Sequence, residues 1–273
     1  MKHQLWKGLL TFALVATPLV GCSNGAQDSD KTITIGASVT PHAEILNNVK
    51  DDLEDKGYTV TIQEFSDYVK PNKSLRDGEL DCNYFQHTPY LEDWTKKNCD
   101  HEDDLVAAAK IHFEPLGIYS SKHADVKEVP QGAKIAVPND TTNEARALQL
   151  LADNGIITLK EGVGLEATKA DIVENPYNVE IVELTAEVVP TKLEELDFAV
   201  CNGNNALNAK ITEHLLVTES TESAAADTYA NVIAVRKEDK DSQKIKDLLE
   251  VLESQKTKDF IDEEYQGVVV ATF

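Results

Sequence analysis

The chain has 273 residues and a formal net charge of −22, from 48 acidic and 26 basic side chains. So acidic a surface repels nucleic acid and anionic lipid, which argues against both as partners. With 41% apolar residues, the body reads as globular, with material for one large or two modest domains.

Residues 1–21 read as an export signal. MKHQLWKG carries Lys2 and Lys7, and the apolar run LLTFALVATPLVG is interrupted by Pro18. The run is too short to span a bilayer as a permanent helix. It ends in Leu19-Val20-Gly21-Cys22, the form of a bacterial lipobox, at which diacylglycerol is attached to the cysteine sulfur. A plain secretory signal followed by a chance cysteine is the alternative. Two acyl chains on Cys22 would anchor the protein stably, since each buried methylene contributes about 0.8 kcal/mol. Residues 22–31 are then a polar tether. Cys82, Cys99 and Cys201 remain. An odd number cannot all pair within one chain; Cys82 and Cys99 either form a disulfide or are free thiols. Neither a CxxC pair nor a zinc-type spacing is present.

From residue 31 strands and helices alternate. KTITIGA (31–37) predicts a strand. Thr40-Pro41 opens a helix, with Thr40 as cap and Pro41 in the first turn. Ile45, Leu46, Val49 and Leu53 share one face of it, and Gly57 ends it. YTVTIQEF (58–65) alternates like a strand. A helix near NKSLRDG, a strand through LDCNYF and a helix from Pro89 to about Lys97 follow. Residues 105–120 form a long extended segment broken at Pro115 and Gly117. KIAVPND (134–140) restarts the pattern, and Thr141 with Glu144 reads as a capping box for the next helix. ATKADIVEN reads as helix, VEIVEL as strand, PTKLEELD as helix and FAVCNGN as strand and turn. YANVIAVRKED (229–239) is a second long extended piece, and residues 242–265 close the chain as one amphipathic helix.

Such alternation argues for α/β layers with mostly parallel sheets. The two extended segments suit the crossings of a two-lobed molecule: residues 32–117 with 235–273 as lobe I, and 118–234 as lobe II. A single doubly wound sheet fits the same spacing. Ligands of such folds sit beyond strand carboxyl ends, often between domains.

Several polar and aromatic residues fall at those ends. Tyr68 follows one strand, and Phe85 and His87 follow another, with Tyr90 just beyond. Asn143 and Arg146 lie in the first turns of a helix, Asn202 follows a strand, and Asn231 lies in the second crossing. Arginine is scarce here, only Arg76, Arg146 and Arg236, while lysine is plentiful. A guanidinium near a helix N-terminus suits a carboxylate, which it holds by two hydrogen bonds. An exposed surface ion pair is the alternative. The rings read either as core or as a wall for an apolar, polarisable side chain such as a thioether.

DCNYFQHTPYLE, IHFEPLGIYSSK, IAVPNDTTNEARALQLL, FAVCNGNNAL and YANVIAVR, in this order behind a lipobox, resemble the methionine-binding lipoproteins of bacterial ABC importers, the NlpA family. The likeness runs from Thr32 to Phe273. It implies a two-lobed periplasmic-binding-protein fold with methionine between the lobes, no cofactor, a monomer, and delivery to a permease with its ATPase at the outer face of the cell membrane. It implies that Arg146 binds the ligand carboxylate, that Asn143, Asn202 and Asn231 hold carboxylate and amine, and that Tyr68, Phe85, His87 and Tyr90 enclose the side chain. The chain departs from the family pattern at Cys201, Asn205 and Thr141, where an aliphatic residue, an aromatic one and proline are expected. That leaves open L-methionine, D-methionine, a relative or a short peptide.

Two other classes of protein find less support in the sequence. An exported hydrolase finds no GxSxG, HExxH or phosphate-binding loop in its favour. A metal carrier using His87, His101, His112, His123 and His214 has no recognisable ligand spacing.

Overall fold

The computed structural model describes residues 31–220 and 224–273. The signal, Cys22 and most of the tether lie outside them. Among the described residues no helix is long and apolar enough to cross a membrane.

The first half of lobe I follows the alternation closely. Strand β1 (Thr32–Ser38) leads through a kinked turn at Val39–Ala43 to helix α1 (Glu44–Asp55), then β2 (Thr59–Phe65), α2 (Lys70–Arg76), β3 (Cys82–His87), α3 (Thr88–Asn98) and β4 (Leu105–Phe113). Ile45, Leu46, Val49 and Leu53 are the buried face of α1, and Gly57 after it takes φ +89°, the left-handed turn glycine permits. Thr40 does not cap α1. Its Oγ1 donates instead to Glu44 Oε1 at 2.7 Å.

Lobe II carries β5 (Gly117–Tyr119), β6 (Lys134–Pro138), α4 (Thr141–Asp153), a small hairpin of β7 (Thr158–Leu159) and β8 (Ile172–Glu174), then β9 (Glu180–Leu184), β10 (Phe198–Cys201), α5 (Gly203–Ala209) and β11 (Leu215–Thr218). After α6 (Ala224–Thr228), strand β12 (Asn231–Arg236) returns to lobe I, followed by α7 (Gln243–Leu252), α8 (Gln255–Tyr265) and β13 (Val270–Ala271).

The two larger sheets have strand orders β13-β4-β12-β3-β1-β2 and β11-β5-β10-β6-β9. They are mixed rather than mostly parallel. Parallel pairing joins β2–β1–β3 and β9–β6–β10, while β12, β13, β5 and β11 pair antiparallel. Gly117 belongs to the second sheet, and residues 231–234 to the first. Between the sheets the chain runs through the link Glu114–Leu116 and, after β11, through a stretch that contains Glu219 and α6. They are tied together: Glu219 N–H donates to Leu116 O, and Leu116 N–H donates to Glu219 Oε2, each at 3.0 Å.

Four further helical expectations change. The cap of α4 is Asp140, whose Oδ1 accepts from Asn143 N–H at 3.0 Å, not Thr141. ATKADIVEN is a short 3-10 turn leading into β8. The closing helix is two, because Ser254 interrupts it and caps α8 by accepting from Thr257 N–H. PTKLEELD keeps only one 3-10 turn, Val189–Lys192. Cys82, Cys99 and Cys201 are free thiols, Cys82 and Cys201 buried, and burial pushes the pKa of both upward.

Candidate functional site

The crossings bring the ends of both sheets around one cavity. All eight residues expected from the sequence line it: Tyr68, Phe85, His87 and Tyr90 from lobe I, Asn143, Arg146 and Asn202 from lobe II, and Asn231 where β12 begins. Gln86, Glu114, Gly203 and Asn204 join them.

On the lobe I side three rings form a wall. Tyr68 lies 5.8 Å from Phe85 and 5.9 Å from Tyr90, and Phe85 lies 6.0 Å from Tyr90. A register shift lets three consecutive residues of β3 reach the cavity. Val232 pairs with Gln86 and Ile233 with Tyr84, so Phe85 has no partner across the ladder. Such a bulge re-aims side chains that strict alternation would separate. Tyr84 turns inward and is fully buried. Beneath the wall Asn72, Asn83 and Gln86 are buried and bonded to one another; Gln86 Nε2 donates to both Asn72 Oδ1 (2.6 Å) and Asn83 Oδ1 (2.9 Å). His87 caps α3, its Nδ1 accepting from Tyr90 N–H, so Nε2 carries the proton and donates to Asn143 Oδ1 at 3.1 Å. Burial, and then the Arg146 charge, hold its pKa down at about 3, so the ring is neutral.

The lobe II side is polar and largely pre-paired. Asn143 Nδ2 donates to both oxygens of Asp140, and its Oδ1 accepts from His87 and from Asn202 Nδ2 (2.8 Å). Asn143 thus links Asp140, His87 and Asn202 while lining the cavity itself. Asn202 Oδ1, by contrast, is a buried acceptor with no partner among the described residues.

Arg146 is 4% exposed, so the surface-pair alternative does not hold. Its fork already grips a carboxylate, that of Glu219: Nε donates to Oε1 at 2.8 Å and Nη2 to Oε2 at 2.6 Å. Nη2 also donates to Glu114 O at 3.0 Å, and the guanidinium lies over the Tyr229 ring at 4.2 Å. The bonds of the guanidinium among the described residues are made by Nε and Nη2, not by Nη1. Asn231 Oδ1 accepts from His42 Nε2 at 3.0 Å, which leaves its Nδ2 donors for the cavity.

The positions that differ from the family pattern also have contacts. Asn205 Nδ2 donates to Tyr68 Oη at 2.9 Å, while Tyr68 Oη donates to Asn204 Oδ1. Thr141 Oγ1 accepts from Lys97 Nζ at 2.8 Å. Each bond joins lobe I to lobe II.

His42, His112 and the cavity-lining Glu114 are buried, with one ligand atom each within 4.8 Å of the others. Among the described residues this is the group with a metal-capable arrangement, and it shares only His112 with the histidine set weighed from the sequence. Sequence reasoning missed Glu114 as well, because one acid among 48 carries no signal by itself. A discernible cue was its position: an acid enclosed by the apolar run IHFEPLGI, where a chance surface carboxylate is rare.

The sequence profile of the NlpA lipoprotein family matches residues 33–273. The chain belongs to the NlpA lipoprotein family. Its similarity to the methionine-binding lipoprotein MetQ of Bacillus subtilis (strain 168) is 43% identity over 265 residues, 96% of this chain and 95% of that protein. A nutrient-binding protein from Burkholderia cenocepacia solved bound to methionine is 42% identical, with TM-score 0.82, covering 88% of this chain and all of that one. A periplasmic substrate-binding protein of an ABC transporter from Coxiella burnetii is 35% identical, with TM-score 0.81 and coverage of 88% and 100%. The fold of this NlpA member is thus that of the two-lobed substrate-binding proteins, as the sequence implied.

Proposed function

We propose that this NlpA-family protein is an extracytoplasmic receptor that captures methionine between its lobes and passes it to an ABC importer, held at the membrane through acylated Cys22. The observation that carries the reading is one cavity combining a three-ring apolar wall with a guanidinium and a buried, unpaired amide oxygen. The rings of Tyr68, Phe85 and Tyr90 and the neutral His87 take the thioether. Arg146 Nη1 and Asn231 Nδ2 take the carboxylate, and Asn202 Oδ1 accepts from the ammonium. Asn143 holds Asn202 and His87 in place. Two halves of the site come from different lobes, so closure assembles it, and a closed, loaded receptor is what a permease can distinguish from an empty one.

The test begins with full-length protein unfolded and refolded to remove any co-purifying solute. Methionine at a hundredfold excess over Kd should stabilise it by about 2.7 kcal/mol, raising Tm by roughly 5–10 °C. Absence of a shift with any amino acid or short peptide overturns the reading, and mass spectrometry of the released solute identifies the natural guest. Cys22→Ala should leave the shift intact and release the protein from membranes; persistent membrane association refutes the anchor.

A further inference from the structure

We infer that Glu114 is the anionic partner of the ligand's α-ammonium and makes the site selective for free amino acids over their desamino and N-acyl analogues. The inference rests on the receptor reading above and adds a residue to it. The ammonium and carboxylate of an amino acid are attached to the same carbon, so an ammonium subsite must adjoin the guanidinium. Glu114 meets that condition, because its own carbonyl accepts from Arg146 Nη2 at 3.0 Å. Among the cavity-lining residues it is also the one carboxylate.

The surroundings are built for that side chain. Position 203 is glycine, and a Cβ there would fall 2.8 Å from Glu114 Oε2 and 2.9 Å from its Cβ, so the start of α5 is hollowed out to admit the carboxylate. Oε1 accepts from His112 Nε2 at 2.8 Å, and His112 Nδ1 in turn accepts from the Tyr84 hydroxyl. His42 Nε2 lies 3.5 Å from the same Oε1. These neighbours are neutral: burial holds His112 at about 3 and His42 at about 4. They orient Glu114 without supplying a counter-charge. Arg146 is already paired with Glu219. Glu114 therefore faces the cavity as a buried acid lacking a dedicated cation, and burial pushes its pKa upward. An arriving ammonium supplies the missing charge, with Asn202 Oδ1 as a second acceptor. A divalent cation on His42, His112 and Glu114 would use the same oxygens and so compete with this role.

Calorimetric titration of refolded, solute-free full-length protein with methionine and with 4-(methylthio)butanoate, its desamino analogue, tests the assignment. Wild type should prefer methionine by about 30-fold or more, the scale of a lost partner in a desolvated charge pair. Glu114→Gln, which keeps shape and hydrogen bonding, should shrink that preference at least about tenfold. Equal wild-type affinity for the two compounds overturns the inference even if the variant fails to fold, as does a preference that Glu114→Gln leaves intact. Loss of methionine affinity on adding a chelator would assign the three residues to a cation and overturn it too. Failure of wild type to bind methionine at all instead overturns the receptor reading beneath it.

Discussion

Arg146 does two jobs, and its removal should show both. It neutralises Glu219, whose side chain is only 12% exposed, and it presents Nη1 to the cavity. Breaking a buried pair by deleting one partner costs about 3–5 kcal/mol. Arg146→Ala should therefore lower the Tm of the empty protein and also abolish the methionine-induced rise. A variant with normal Tm and a full shift would show that the guanidinium serves neither purpose. The histidines give a pH signature. His42, His87 and His112 have folded-state pKa values of about 4, 3 and 3, below the ordinary value of about 6.5. Each favours the neutral form in the fold, so its contribution is complete above pH 6.5 and is lost as pH falls toward 3–4, where only the unfolded chain binds the proton. Glu114 and Asp140, both raised by burial, act in the opposite sense and offset part of this. Tm should fall steeply from pH 7 to pH 5, and less steeply in His87→Asn; a flat profile in thermal melts would refute buried neutral rings. The residues named from the sequence all reach the cavity because strand ends and first helical turns are where such folds put their sites. The hydrogen bonds were not legible. The bonds of Asn143 to Asp140, His87 and Asn202 are a matter of side-chain direction that spacing cannot encode.

At the level of elements, periodicity worked where one face is buried and failed where tertiary contacts override it. The apolar stripe of α1 marks its buried face. Residues 242–265 keep a helical period across Ser254, so the break shows only as a capping residue inside the run. Ser254→Ala should cost about 1 kcal/mol, measurable in urea melts with unchanged m-value; no loss would mean the bond from Thr257 N–H carries nothing. The bulge opposite Phe85 is equally silent in sequence, since it arises from how β12 pairs with β3. Gly203 at the start of α5 is the element on which the cavity floor depends. Gly203→Ala must displace Glu114, and should weaken methionine binding by more than it lowers Tm. Unaltered affinity would show that the carboxylate can move aside freely.

For the whole molecule, strand pairing near the two extended segments differs from a cut at residues 117 and 235: Gly117 pairs in the second sheet and Asn231–Val235 in the first. β4 and β5 read as one strand interrupted at Pro115, and β12 looked like a linker until its pairing with both β3 and β4 placed it inside lobe I. The parallel expectation came from alternation alone, which says nothing about strands that arrive from the other lobe. The net charge of −22 for the full chain makes the compact state self-repelling. Tm of the solute-free protein should rise by a few degrees between about 10 mM and about 0.5 M NaCl as screening shortens to a few ångströms; an unchanged Tm would mean the acidic groups are already balanced locally by ion pairs such as Lys256–Asp52.

The state of the thiols has a practical consequence. Cys82 and Cys201 are sealed in the interior, whereas Cys99 is partly open at the end of α3, the helix whose Lys97 reaches Thr141 across the mouth of the cleft. Among the described residues, thiol-directed dyes should thus label Cys99, two residues from Lys97 and its bond to the other lobe, and emission that changes on adding methionine would report solute capture without any engineered cysteine.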